Sequence, residues 1–370
     1  MRGGATARPP GRRRALLLGG VALSVLGAGV VFVGANVCTT EVPPPLWTQA
    51  DLDNDVPEAD NGWSLVVAEN HVKVPESLAK LVDGSERDAE RYWADVDQQA
   101  DALQAFLATD AAREVSDQLD QARARPGFAD TCQLGGGGAC LTIAWRDVHR
   151  VGVLRAAALA RAGESADASL LLRDLIRMDT AHLQSARYIV SFLVASANMR
   201  AALTQANMLA SRLDQREVTA DTRVAMAELA QVVEAVDIEA INLQRVVIGE
   251  YLACAQTLER LESGDAELPD RAKAPPGIGW AFDRGETLRS LNERFEHRYR
   301  AAGSNDAAAT FGAGEDSPKQ EFAWWLRNPV GKLYIDSTIV DLEWGIEADL
   351  EQLGRARVRA LGNVLAHVDG

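Results

Sequence analysis

The chain has 370 residues, of which 47% are apolar and 25% charged, a composition typical of folded rather than disordered protein. Its formal net charge is −15. The first 37 residues contribute five arginines and no acids, so the remainder carries 33 basic and 53 acidic side chains, a net charge near −20. This acidity argues against a general basic patch, and we therefore expect no nucleic-acid partner.

Residues 15–37 form an uncharged, apolar stretch. At 1.5 Å per helical residue this length crosses a hydrocarbon core of about 30 Å. Arg12, Arg13 and Arg14 precede the stretch directly, whereas residues 38–72 contain seven acids and neither Lys nor Arg. The basic flank predicts a single-pass membrane helix at 15–37, with a cytoplasmic tail at 1–14 and the main domain in the periplasm or outside the cell.

Two alternatives to a retained anchor remain open. A cleaved signal peptide has a shorter apolar core and a small-x-small cleavage site, but this stretch ends in Asn36 and Val37. A lipid-modified Cys38 requires a small residue before the cysteine, and Val37 is branched. A retained signal-anchor is the favoured interpretation.

Residues 38–61 have the composition of a stalk. Pro43, Pro44 and Pro45 favour an extended polyproline conformation, and the acidic run that follows offers few residues for a core. We place the extracytoplasmic domain at residues 62–370. Residues 63–74 suit either a short strand or an opening helix.

Helical patterns dominate the domain. Pro75 starts a helical region, and residues 85–125 favour helix with a break near Thr109. Further helices are predicted at 141–163, from Ser165 as N-cap, at 186–213, at 221–263 as two helices or one bent near Asp237 or Gly249, at 287–301 and at 342–368. Residues 268–279 and 303–318 are predicted loops, the second flexible. The expected fold is all-α, an irregular helical bundle or a helical-hairpin solenoid behind the anchor.

One predicted helix follows the amphipathic template without error, with apolar residues at i, i+3, i+4, i+7 and i+8: Ala168, Leu171, Leu172, Leu175 and Ile176. Together with the helix before Gly163, residues 158–178 resemble one tetratricopeptide-type hairpin. No second copy appears at a 34-residue offset, so we expect no regular repeat array.

The order of features resembles that of a group of N-terminally anchored, extracytoplasmic α-helical bacterial proteins. The matching pieces are the anchor, the proline stalk, the alanine-rich hairpin and three short segments: Gly249-Glu250-Tyr251, Glu286-Thr287 and residues 328–331. The resemblance implies an anchored helical architecture and no particular activity.

Cysteine spacing predicts a disulfide between Cys132 and Cys140. They flank a glycine-rich loop that would let the two sulfurs meet, and disulfides persist outside the cytoplasm. A metal site is less favoured because neither cysteine has a CxxC partner or a paired histidine. Cys254 lies in an apolar helical stretch and is predicted to be an inert core thiol.

Three local patterns resemble catalytic or metal-binding motifs. Ser77 and Lys80 form a Ser-x-x-Lys arrangement, but the Lys-Thr-Gly or Lys-Ser-Gly element of penicillin-binding proteins is absent. Two acid–histidine pairs share a helix face, Asp179 with His182 and Glu293 with His297, and we interpret both as surface pairs, with Asp179 as an N-cap. The sequence thus predicts no catalytic residue, metal site or cofactor.

Two hypotheses follow. In the first, the chain is a non-enzymatic interaction or scaffolding module with a protein partner; a broad groove lined by apolar and acidic side chains would support it. In the second, it is an envelope hydrolase or a metal-dependent enzyme on a helical scaffold. That hypothesis requires Ser77 with Lys80, or Asp179 with His182, to meet other polar groups in a closed pocket.

Overall fold

A computed structural model describes residues 40–67, 72–83, 88–132, 142–213, 218–238, 240–241, 243–263, 282–303 and 343–368. These residues contain helices and no strand, apart from an isolated bridge between Asn61 and Gly127, so the predicted all-α class is confirmed. The helices are α1 (Trp63–Val66), α2 (Glu76–Asp83), α3 (Ala89–Gln98), α4 (Ala100–Leu107), α5 (Asp110–Arg123), α6 (Thr142–Arg161), α7 (Ser165–Ser185), α8 (Ile189–Arg212), α9 (Ala220–Ala235), α10 (Leu243–Ser263), α11 (Arg284–Ala302) and α12 (Glu343–Leu365).

The predicted anchor at residues 15–37 lies outside the described residues. Among the helices that the structure does describe, none combines the length and the apolar character that crossing a bilayer requires. The predicted loop at 268–279, the loop predicted at 303–318 apart from Gly303, and the segment at 328–331 also lie outside them.

The chain divides into two compact units. One consists of Met1–Leu46, Cys254–Arg294 and Ala313–Val340, and the other of Trp47–Ala253, Phe295–Gly312 and Asp341–Gly370. The sequence had indicated a single domain after the stalk. The division falls within α10 and α11.

In the first unit, the contacts that the structure describes are concentrated at the start of α11. The carboxylate of Asp283 accepts hydrogen bonds from the Thr40 backbone N–H at 3.1 Å and from its hydroxyl at 2.7 Å. A Cβ on Gly285 would lie 2.3 Å from the Thr40 carbonyl oxygen, so this close approach requires glycine. Arg284 pairs with Glu259 and Glu262 of α10 at 2.9 and 2.8 Å.

Helix α8 is the centre of the second unit. It is buried on most of its circumference, and α6, α7, α12 and the shorter α3 pack against it. The Trp93 indole N–H of α3 donates to the Met208 carbonyl at 2.9 Å, and Arg200 pairs with Asp349 of α12 at 2.9 Å. Helix α9 covers α7 and α12. Most α8 side chains are small or apolar, which suits a helix that packs on several sides.

The helices predicted before and after Gly163 are present as α6 and α7, and they pack against each other. The five residues of the α7 template are at most 1% exposed, and Trp145, Val148 and Val151 of α6 are fully buried. Gly163 ends the hairpin turn with φ of 86°, a conformation that side chains with a Cβ rarely adopt.

Several local predictions need correction. Ser165 is the first residue of α7 rather than its N-cap. Asp179 lies inside that helix and caps nothing. Val190, an apolar residue of the helix predicted at 186–213, is 55% exposed because α8 turns that position away from its neighbours. The ambiguous segment at 63–74 opens as helix α1.

In the second unit, the predicted stalk contributes to packing from Trp47 onwards. Leu52 is fully buried, and Trp47 packs edge-on against Tyr251 with ring centroids 5.1 Å apart. The Asn61 side chain donates to the Ala129 carbonyl at 2.8 Å. The core of the second unit therefore begins earlier in the chain than the acidic composition suggested.

The Gly249-Glu250-Tyr251 segment joins α10 to the start of α8. A Cβ on Gly249 would lie 1.6 Å from the Arg187 carbonyl oxygen, so only glycine permits this approach. The Glu250 carboxylate accepts from the Ile189 backbone N–H at 2.8 Å and thereby satisfies a donor at the first turn of α8. Burial raises the pKa of Glu250, which this hydrogen bond and nearby Arg298 partly oppose.

Candidate functional site

A groove runs along α5, α6 and α7 on the second unit. Its volume is about 680 Å³. Leu159 and Leu170, both partly exposed, supply apolar surface above the buried Leu171, and Glu164 of the turn lies at one end. The groove exists because Gly163 brings α6 and α7 side by side while α5 packs across α6.

Among the described residues, the groove is lined by two arginines and four acidic residues. Its two arginines are engaged in ion pairs: Arg123 contacts Asp174 at 2.8 Å and Asp120 at 3.3 Å, and Arg155 contacts Asp120 at 2.9 Å.

Two further acids of the groove, Glu164 and Asp167, are exposed and make no side-chain hydrogen bond or ion pair in the described part of the chain. With the arginines neutralised by Asp120 and Asp174, these two carboxylates leave the groove with an acidic end. The groove therefore has the apolar and acidic lining that would support the interaction hypothesis.

A second polar cluster lies buried beneath the groove helices, around Asp130. This carboxylate is fully buried and accepts from the Ser191 hydroxyl at 2.5 Å, the Cys132 N–H at 2.8 Å and the Arg187 N–H at 3.2 Å. The backbone N–H of Asp130 donates to the Ser185 hydroxyl, at the end of α7, at 2.9 Å. One aspartate thus connects the segment after α5 with the end of α7 and the start of α8.

His182 joins this cluster through Ser191, whose Oγ lies 2.8 Å from Nε2 of the ring. Since the Ser191 proton is directed to Asp130, Nε2 must be the donor, which assigns the Nε2–H tautomer. Nδ1 is buried without a partner among the described residues. The pKa of His182 is lowered to about 4, chiefly by burial; the Asp130 carboxylate opposes this shift and His149 adds to it.

Asp179 and His149 form a separate buried pair. The Oδ2 atom lies 2.9 Å from Nε2 of His149, and both side chains are fully buried. The angles fall short of a directed hydrogen bond, so the contact is a close electrostatic pair. Burial raises the pKa of Asp179, while His149 and the Trp145 indole act in the opposite direction.

These two clusters contradict the surface interpretation of Asp179 and His182. Both are fully buried among polar groups from other helices. The arrangement nevertheless differs from a nucleophilic triad, because Ser191 bridges the aspartate and the histidine and is only 1% exposed. A substrate cannot reach its hydroxyl in this conformation. The chemistry available here is structural hydrogen bonding.

Ser77 and Lys80 line an open depression of about 450 Å³ together with Glu76, Asp95 and Gln99. Ser77 and Lys80 are exposed, and the Lys80 amino group lies 2.8 Å from Glu76. Glu293 and His297 are exposed on α11. In the described ranges no group of three or more Asp, Glu, His or Cys side chains is placed to hold a metal ion.

Of the cysteines, Cys254 is 7% exposed, which agrees with the predicted core position. Cys140 lies outside the described residues, so the bridge between Cys132 and Cys140 stays a prediction.

Sequence reasoning missed Asp130, His149 and Ser191 as partners. Asp130 and Ser191 are 61 positions apart, and no local spacing connects them. The usable signal was the presence of His149 and His182 on two adjacent helices with long apolar faces, where a buried polar side chain needs a partner.

In comparisons with known proteins, no protein-family model, curated protein or solved structure matches this chain.

Proposed function

We propose that the chain is a membrane-tethered, extracytoplasmic interaction or scaffolding module, an irregular helical bundle carried behind a transmembrane helix at residues 15–37. The apolar stretch and its basic flank support the tether and its orientation. The single observation that supports the interaction role is the groove along α5, α6 and α7.

The composition of the groove favours one class of partner. Leu159 and Leu170 offer partly exposed apolar surface, and Glu164 and Asp167 leave one end acidic. A partner segment with Lys or Arg beside an apolar side chain complements both features. Mixed grooves of this kind suit protein segments better than they suit small polar substrates.

The enzymatic alternative requires one of its two motif pairs in a closed pocket, and the depression that Ser77 and Lys80 line with Asp95 and Gln99 is open to solvent. Ser77 and Lys80 face solvent, and Asp179 and His182 are inaccessible in the core. We therefore develop only the interaction proposal.

The test is affinity capture with the full-length, detergent-solubilised chain, comparing wild type with Asp167→Lys. Asp221→Lys is the matched control, because both aspartates are exposed and lie in the first turn of a helix, α7 and α9 respectively. Each substitution costs about 0.3–1 kcal/mol through the helix dipole, so stability is matched.

We expect a stoichiometric protein partner with wild type and with Asp221→Lys, and weakened capture with Asp167→Lys. Equal capture by all three proteins would exclude the groove as the docking site. Recovery of wild type alone and monomeric would contradict the scaffolding role.

A further inference from the structure

A small pocket opens between α2, α6 and α8 of the second unit, on a different face from the groove. Its volume is about 170 Å³. Arg146 and Arg150 of α6 and Arg200 of α8 line it, together with one acid, Asp83 of α2. Three arginines in one pocket are unexpected in a chain with a net charge of −15.

The arginines differ in how far their donors are used. Arg150 is fully engaged, with Asp83 through two atoms and with Asp147 at 3.2 Å.

Arg200 contacts Asp349 and Gln352 through Nη1 alone, which leaves Nε and Nη2 without a described partner. Arg146 has one long contact, 3.6 Å to Asp83. Unused guanidinium donors therefore remain on two helices.

Neutral donors complete the lining. Asn198 is 3% exposed, and its Nδ2 has no hydrogen-bond partner in the described part of the chain. Thr204, two turns further along α8, has a hydroxyl without a described partner. A buried amide donor that no protein atom satisfies is costly, and an acceptor in the pocket removes that cost.

We propose that this pocket binds a phosphate group. Guanidinium, amide and hydroxyl donors converge there from α6 and α8, and a phosphate offers several oxygens that accept charge-assisted hydrogen bonds. The volume is below the roughly 300–1,000 Å³ of sites for drug-sized ligands, so it suits one small group. Alanines at positions 197 and 201 leave the space between the donors.

The test is isothermal titration of the full-length chain with inorganic phosphate. The variant is Arg146→Gln, whose side chain is 45% exposed, and the matched control is Arg161→Gln. Arg161 lies on the same helix and also pairs with an aspartate of another helix, Asp97, at 3.0 Å.

We expect wild type and Arg161→Gln to bind phosphate alike and Arg146→Gln to bind about tenfold more weakly, the effect of losing one charge-assisted contact. Should Arg146→Gln fail to fold, Thr204→Val, which keeps the side-chain shape, is expected to weaken binding instead. Absence of binding by wild type, equal binding by the pocket variants, or equal weakening in Arg161→Gln overturns the proposal.

Repeating the titration in nanodiscs made of neutral lipid, with and without added phosphatidic acid, separates two sources of the phosphate group. A lipid phosphate that enters the pocket competes and weakens the apparent binding of inorganic phosphate. If the ligand is a free phosphate, the titration is unchanged.

Discussion

The buried ring of His182 makes the stability of the chain depend on pH. Its pKa in the folded chain is about 4, against an ordinary value of 6.5, because burial disfavours the charged ring. Between pH 6.5 and pH 4 the His182 ring is therefore protonated in the unfolded chain and neutral in the folded chain. The contribution of the neutral His182 ring to the free energy of unfolding is fully present above pH 6.5 and is lost as the pH falls from 6.5 to 4. At about 1.4 kcal/mol per pKa unit, the total loss is about 3 kcal/mol.

The contribution of Asp179 to stability changes with pH in the opposite direction. Burial raises its pKa above the ordinary 3.8, so its contribution is lost as the pH rises through the folded-state value. A variant must isolate the histidine from this effect. His182→Gln serves, because its amide N–H₂ can still donate to Ser191 but does not titrate.

The assay is urea unfolding of the full-length chain at pH 6.5 and at pH 4. We expect wild type to lose about 2–3 kcal/mol more between these values than His182→Gln does. His297→Gln, at an exposed position of α11, should behave as wild type. Identical pH dependence in wild type and His182→Gln would refute the reasoning.

Three glycine substitutions test the close contacts of the fold by urea unfolding. Gly249→Ala should destabilise by about 3 kcal/mol or more, because its Cβ would lie 1.6 Å from the Arg187 carbonyl oxygen. Gly354→Ala in α12 should stabilise by about 0.5–1 kcal/mol, since its nearest new contact is 3.7 Å away; a comparable loss at both sites would contradict the contact argument. Gly163→Ala should cost about 1–2 kcal/mol through its φ of 86° alone, having open space around it, and a neutral result would refute backbone strain there.

Much of the fold was predictable because its signals are local. The α7 stripe from Ala168 to Ile176 and the glycine at the end of the hairpin turn specify α6 and α7 within a few turns of chain. The break near Asp237 likewise appears as the gap between α9 and α10. Helical periodicity and turn chemistry are properties of neighbouring residues, so a sequence displays them directly.

The candidate sites were less predictable. The groove could be anticipated as a class of surface, but its location required knowing that α5 packs across α6. The phosphate pocket combines Arg146 with Asn198 and Thr204, which lie more than 50 positions away in sequence. Its signal, an unsatisfied amide in a small pocket, exists only once the helices are packed.

Asp179 and His182 show the same limit most clearly. Their i, i+3 spacing placed them on one helix face, and that part of the reasoning is correct. Whether the face meets solvent or core depends on what packs against α7, and here α6 and α8 enclose it.

By itself, the sequence determined the helical class, the hairpin, most helix boundaries and a strong expectation of a membrane tether, since each depends on hydrophobic periodicity or on the length of one apolar run. Tertiary structure alone decided which polar side chains are buried, that the chain separates into two units, that residues from Trp47 onwards join a core, and where the groove and the arginine pocket lie. These features depend on contacts between residues far apart in the chain, whose free energy is set by packing and desolvation rather than by local preference.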